Sequence, residues 1–77
     1  MESDETLYRQ VRNGDMKSFD LLYSRYERAL FGYIYRYLGN RQESDEVFHE
    51  AFMQVLECRE VTFEEGSFRG WIYRPEN

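Results

Sequence analysis

Residues 37–52 read YLGNRQESDEVFHEAF, and this stretch predicts a turn between two helices. Gly39 stands where a left-handed C-terminal cap is expected, because glycine adopts a positive φ without steric cost. Asn40, followed by Glu43, matches a capping box for the next helix. Since just two residues, Gly39 and Asn40, separate the helices, we expect them to pack as an antiparallel hairpin.

The apolar residues on both sides of this turn follow helical spacing and fail the strand alternation. Each segment therefore predicts an amphipathic helix with its apolar stripe turned towards the other helix. The stripe before the turn comprises Phe19, Leu22, Tyr23, Tyr26, Leu30, Tyr33, Ile34 and Tyr37. The stripe after the turn comprises Val47, Phe48, Ala51, Phe52, Val55 and Leu56.

Shorter segments lie on either side of the hairpin. A first one, containing Leu7, Tyr8 and Val11, predicts a short helix that packs against the hairpin and ends at the break Asn13-Gly14-Asp15. These segments together predict an all-α fold, a small helical bundle built on an antiparallel helix hairpin. We expect residues 1–77 to form one domain.

The last segment is predicted to be a turn or two of helix. Ser67 is the expected N-cap, and Pro75 removes a donor and disfavours helical geometry before it, so the helix should stop near Tyr73. Its apolar residues are Phe68, Trp71 and Ile72.

Composition restricts the classes of function. Aromatic residues make up 18% of the 77 residues, so a few bulky rings can fill a small core. The net charge of -5 repels a phosphate backbone, which argues against a nonspecific nucleic-acid binder. Contact with DNA would need a local basic cluster, and the main partner is otherwise a basic protein surface.

Sequence features of metal, redox and membrane proteins are missing. Cys58 has no second cysteine for a disulfide, and His49 has no second histidine for a metal site or a recognisable nucleophile beside it. The first residues do not resemble a targeting signal, and no apolar run approaches the ~20 residues of a membrane span. We expect a cytoplasmic protein with no cofactor, no membrane contact and no catalysis.

Three stretches carry a resemblance to a known family. Residues 15–23, DMKSFDLLY, followed by Tyr26, resemble the opening of region 2 in bacterial sigma factors of the extracytoplasmic-function (ECF) type. Residues 37–52 resemble that family's glycine turn, acidic run and Gln-Glu-Ala-Phe core. Residues 66–74, GSFRGWIYR, resemble its Phe-x-x-Trp-Leu-Tyr-Arg signature, so the resemblance covers roughly residues 7–74.

The resemblance implies a partner for the helix after the turn. In the family this helix binds the clamp helices of the largest subunit of core RNA polymerase. The positions that match the family's polymerase contacts carry Glu46 in place of Asp, His49 in place of Gln, and Glu50, with Met53 and Gln54 one turn further on. Their spacing places all five residues on a second stripe beside the apolar one. Without the resemblance, this stripe would simply be the solvated face of an amphipathic helix.

The resemblance also implies contact with promoter DNA near the C-terminus. Arg69, Trp71 and Arg74 are the predicted DNA-binding residues, since rings interleaved with guanidinium groups stack bases and hold phosphates. Packing in the core is nevertheless the favoured role of Phe68 and Trp71. Because the sequence departs from the family at Pro75, we expect a domain truncated before most of the helix that reads the promoter -10 element.

Two alternatives remain open. The chain could be a stand-alone sigma-like regulator, or one subunit of a split sigma factor, that binds polymerase or an anti-sigma factor without reading DNA itself. It could also be a helical interaction module for an unrelated partner. The leading hypothesis is a sigma factor domain that binds core polymerase and supports promoter -10 recognition and transcription initiation.

Overall fold

Four helices make up the part of the chain that the computed structural model describes, residues 1–57, 63–64 and 66–73. They are α1 (Asp4–Arg12), α2 (Met16–Leu38), α3 (Arg41–Glu57) and α4 (Phe68–Ile72), and no strand occurs among these residues. The predicted all-α fold is confirmed. Cys58, Arg74 and Pro75 lie outside the described residues, together with the predictions made for them.

The turn between α2 and α3 forms as its sequence predicts. Gly39 has a φ of 71°, and its N–H donates to the carbonyl of Tyr35 at 2.7 Å. The side-chain oxygen of Asn40 accepts the N–H of Glu43 at 2.9 Å, which caps α3. The two helices therefore meet at a two-residue turn that closes one helix and opens the next.

Aromatic rings hold the hairpin together. Tyr23 of α2 lies 5.3 Å, centroid to centroid, from both Phe48 and Phe52 of α3, and Phe19 lies 6.2 Å from Phe52. These pairs have the edge-to-face geometry that aromatic quadrupoles favour. The buried apolar residues of the two helices are Leu22, Tyr26, Leu30, Ile34, Phe48, Phe52 and Val55.

Two tyrosines predicted to lie in the core stripe of α2 are exposed, so this part of the prediction is wrong. Tyr33 is 46% exposed and Tyr37 is 86% exposed. Within the described residues, α1 and α4 pack beside the first half of α2. Tyr73, the residue after α4, is the last to reach along this face, and its ring centroid lies 5.2 Å from that of Tyr33. Helical spacing specifies a face, but neighbouring helices decide how far along that face burial extends.

The first helix packs against α2 through both apolar and polar contacts. Leu7, Tyr8 and Val11 are buried, as predicted. Asp4 accepts a hydrogen bond from the hydroxyl of Tyr26 and forms a 2.8 Å ion pair with Arg25. Ser3 caps the helix by accepting the N–H of Thr6 at 3.1 Å.

The short helix α4 closes the bundle and ends at Ile72 with Tyr73 as its C-cap, and the sequence predicts an end near Tyr73. Phe68 and Ile72 are buried, and the ring of Tyr8 contacts Phe68 at 5.9 Å. Ser67 precedes the helix, but its hydroxyl donates to the carbonyl of Glu64 at 2.7 Å and makes no capping bond. Ser67 is therefore the N-cap residue, as predicted, but its side chain makes no capping bond, so another group must satisfy the first N–H groups of α4.

Candidate functional site

The five residues predicted to bind polymerase lie along one side of α3. Glu46, His49 and Glu50 are exposed, Met53 is 48% exposed, and Gln54 is partly buried. Their spacing of three, one, three and one places them on one helical stripe next to the buried residues Phe48, Phe52 and Val55. We call these five residues the α3 ridge. Its two carboxylates and one thioether suit a basic partner that is partly apolar.

His49 presents one ring nitrogen to solvent and uses the other within its own helix. Its Nδ1 lies 2.8 Å from the carbonyl oxygen of Asp45, and a carbonyl can only accept, so Nδ1–H is the donor. This bond fixes the orientation of the ring and leaves Nε2 pointing away from the carbonyl. A neutral His49 can therefore offer an acceptor at a position where the family's glutamine offers both a donor and an acceptor.

A shallow groove runs along the C-terminal half of the α3 ridge. Four of the ridge residues line it, namely His49, Glu50, Met53 and Gln54, together with Glu57 one turn further on. The carboxylates of Glu50 and Glu57 and the thioether of Met53 among its lining residues match a helix that carries basic residues and one apolar side chain.

The predicted DNA-binding residues that the structure describes occupy α4. The guanidinium of Arg69 lies over the ring of Tyr73 at 5.1 Å and over the ring of Tyr26 at 5.9 Å, while the residue remains exposed. Trp71 is partly buried and packs 5.2 Å from Phe63 and 5.7 Å from Phe68. The packing role favoured for Trp71 is therefore present, while Arg74 lies outside the described residues.

Sequence reasoning missed Glu5, a buried carboxylate on α1. The residue is 3% exposed, and its Oε2 accepts the backbone N–H of Phe68 at 2.8 Å. Glu5 thus supplies the first turn of α4 with a side-chain acceptor, which Ser67 does not. The available signal was its spacing of three residues before Tyr8, which places Glu5 on the apolar face of α1.

Burial and hydrogen bonding act in opposite directions on the pKa of Glu5. Burial raises it by penalising the charged form, while the backbone N–H groups of Phe68, Glu5 and Gly66 lower it, and the net pKa is lowered. In contrast, burial and the hydrogen bond to Asp4 raise the pKa of the Tyr26 hydroxyl, which therefore stays protonated and donates.

Comparison with known proteins identifies the fold family. The family model for sigma-70 region 2 matches residues 22–74, which is more than half of the chain. The chain belongs to the sigma-70 region 2 family. No solved structure matches the chain. None of the helices in the described part of this sigma-70 region 2 chain is both long and apolar enough to serve as a membrane span.

Curated relatives place the chain near sigma factors of the ECF type, which confirms the resemblance. The RNA polymerase sigma-H factor of Pseudomonas aeruginosa is 33% identical over 73 residues, which cover 95% of this chain and 38% of the relative. The ECF RNA polymerase sigma-E factor of Haemophilus influenzae is 35% identical over 72 residues, covering 94% and 38%. That of Escherichia coli is 31% identical, covering 94% and 37%. The chain thus spans just over a third of these relatives.

Proposed function

We propose that this sigma-70 region 2 chain binds core RNA polymerase through the α3 ridge, as part of a sigma factor that initiates transcription. The observation that carries the proposal is the exposure of Glu46, His49 and Glu50 beside the buried stripe of α3, within the segment that matches sigma-70 region 2. The resemblance implies that these three positions are the family's polymerase contacts. The proposed partner surface is the pair of clamp helices in the largest polymerase subunit. The role is one of binding, without catalysis.

The charge of the molecule supports a protein partner as the main one. The net charge of -5 disfavours a long phosphate backbone but favours a basic helical surface. The α3 ridge concentrates two of the carboxylates on the same helical face as Met53, a residue that is 48% exposed. Such a face provides charge steering through its carboxylates and apolar contact through Met53.

We propose a secondary role for α4 in contact with promoter DNA near the -10 element. Arg69 is exposed and lies over Tyr26 and Tyr73, so a base or phosphate could approach the same guanidinium. Trp71 packs against Phe63 and Phe68, so its expected contribution is to anchor α4, the helix that carries Arg69. An anti-sigma factor that covers the α3 ridge would compete with polymerase.

The first prediction tests the α3 ridge by charge reversal. The double variant Glu46→Arg/Glu50→Arg should bind purified core polymerase at least about tenfold more weakly, because each reversed charge faces a basic partner. The matched control is Asp20→Arg/Glu27→Arg, which makes the same change in net charge at exposed positions of α2. Fluorescence anisotropy of the labelled chain, titrated with core polymerase, gives both dissociation constants.

The control decides how the result is interpreted. If the two double variants lose the same affinity, the effect is one of net charge and the ridge has no specific role. Should neither the wild type nor the control bind core polymerase, the proposed function is wrong and an unrelated partner is favoured. A Met53→Ala variant extends the test to the apolar part of the ridge and should weaken binding without changing its dependence on salt.

A further inference from the structure

The carboxylate of Glu5 joins the two ends of the described chain. It belongs to α1, yet it accepts the backbone N–H of Phe68, which lies 63 residues further along the sequence, at 2.8 Å. The side chain is almost completely buried, and no buried side-chain nitrogen or oxygen in the described residues lacks a hydrogen-bond partner. A buried acid normally destabilises a fold unless it is fully hydrogen-bonded, so its retention here requires a reason.

The helix that Glu5 contacts cannot be stable by itself. Helix α4 contains five residues, far below the length at which an isolated helix persists in water. Its preceding residue, Ser67, makes no side-chain capping bond. A negative charge at the first turn satisfies exposed N–H groups and interacts favourably with the helix dipole. The carboxylate therefore supplies from α1 what α4 lacks in its own sequence.

Tyr8 reinforces the same contact one turn further along α1. Its ring lies 4.9 Å from Phe63, 5.9 Å from Phe68 and 6.3 Å from Trp71. Tyr8 thus provides apolar contact area, whereas Glu5 provides a directional bond to one backbone atom. Apolar contact tolerates small rotations of α4, but a hydrogen bond to a single N–H specifies where the helix starts.

We infer that Glu5 is a positioning residue whose carboxylate fixes the first turn of α4 and, through it, the placement of Arg69 and Trp71. The inference depends on the proposed function only for its consequence, which is that the residues so placed face promoter DNA. In this arrangement α1 controls the geometry of α4, the segment proposed to contact DNA.

Amide hydrogen exchange tests the inference because it separates local from global opening. The variants are Glu5→Gln, which keeps the shape and removes the charge, and Glu5→Ala, which removes the acceptor. The control is Phe48→Leu, which perturbs the core at a ring whose neighbours Tyr23, Phe31 and Phe52 lie on α2 and α3. Exchange is measured by NMR at the Phe68 amide and at the Leu30 amide in the centre of α2.

Glu5→Gln should accelerate exchange at Phe68 about tenfold or more, since a charged hydrogen bond is lost, and should change Leu30 less than about twofold. Glu5→Ala should have a larger effect with the same localisation. In Phe48→Leu, exchange at Leu30 should accelerate at least as much as at Phe68. Acrylamide quenching of Trp71, the single tryptophan of the chain, should increase in the Glu5 variants alone.

Two results would overturn the inference. Equal acceleration at Phe68 and Leu30 in the Glu5 variants would show a general contribution to stability, and unchanged exchange at Phe68 would show that the contact does not hold α4. Neither measurement involves polymerase or DNA. Failure of the chain to bind polymerase would therefore overturn the proposed function and leave the result on Glu5 intact.

Discussion

At the scale of single residues, Glu5 remains charged in a buried position because backbone N–H groups donate to its carboxylate. The penalty of burial is the largest influence on its pKa, but the hydrogen bonds together outweigh it and the pKa is lowered. The neighbouring Asp4, which pairs with Arg25, opposes this by repulsion. A lowered pKa means that the folded state favours the ionised form more than the unfolded chain does.

The lowered pKa of Glu5 determines how its contribution to the free energy of unfolding depends on pH. Glu5 should stabilise the fold fully above the ordinary glutamate pKa of 4.5, and this contribution should be lost as the pH falls through the lower pKa of the folded state. The measurement is urea unfolding of the wild type and Glu5→Gln, followed by Trp71 fluorescence at several pH values from about 7 to about 3. The difference between the two free energies of unfolding should shrink on acidification. A difference that stays constant or grows on acidification would contradict the role assigned to Glu5. The titration of the other carboxylates cancels in this difference, because both proteins contain them.

Most of the α3 ridge presents the opposite case, because Glu46, His49, Glu50 and Met53 are exposed to solvent. Exposure of Glu46, His49 and Glu50 follows from the amphipathic pattern of α3 alone. Their role in binding polymerase does not follow from exposure and stays a prediction. The hydrogen bond from His49 to the carbonyl of Asp45 fixes the orientation of the imidazole. The sequence did not indicate this bond.

At the scale of elements, Gly32 within α2 and Gly39 at its C-terminal cap should have opposite effects on the free energy of unfolding when each is replaced by alanine. Gly39 has a φ of 71°, whereas Gly32 lies within the helix, and neither has an atom within 4 Å of an added Cβ. Gly39→Ala should therefore lower the free energy of unfolding by about 1–2 kcal/mol, the penalty for a left-handed residue with a Cβ. Gly32→Ala should raise it by about 0.5–1 kcal/mol by removing conformational freedom from the unfolded chain.

Thermal and urea unfolding of the two alanine variants measure these changes directly. Because the two variants add the same methyl group in open space, a shared change in the same direction would contradict the argument from backbone geometry. The comparison also tests the turn that makes the hairpin, since Gly39 closes α2 immediately before Asn40 opens α3.

The hairpin could be predicted from sequence because its signals are local. Gly39 and Asn40 specify the turn, and the spacing of the apolar residues specifies which faces meet. The hydrogen bond from the N–H of Phe68 to Glu5 could not be predicted, because 63 residues separate the two and the local pattern points to Ser67 alone. The predicted burial of Tyr33 and Tyr37 is wrong for a related reason, since burial depends on where the other helices end.

At the scale of the whole molecule, the folded unit extends beyond the segment that defines the family. The match to sigma-70 region 2 begins at Leu22, yet α1 lies before it and contributes Leu7, Tyr8 and Val11 to the core. It also joins α2 through Asp4 and Arg25 and joins α4 through Glu5. The small core therefore depends on α1 for both apolar area and polar contacts.

Truncation of one α1 side chain should reveal how strongly the domain depends on this helix. Leu7 is 0% exposed, so Leu7→Ala should lower the free energy of unfolding by about 2–5 kcal/mol, through lost burial and a residual cavity. The matched control Leu21→Ala removes the same atoms from a side chain that is 52% exposed and should stay within about 0.5 kcal/mol. Urea unfolding should be followed both by helical circular dichroism and by Trp71 fluorescence, since coincident transitions indicate one cooperative unit.

If Leu7→Ala lowered the Trp71 transition alone, α1 would support α4 without belonging to the core of the hairpin. A loss no larger than that of Leu21→Ala would show that residues 22–74 fold without help from α1.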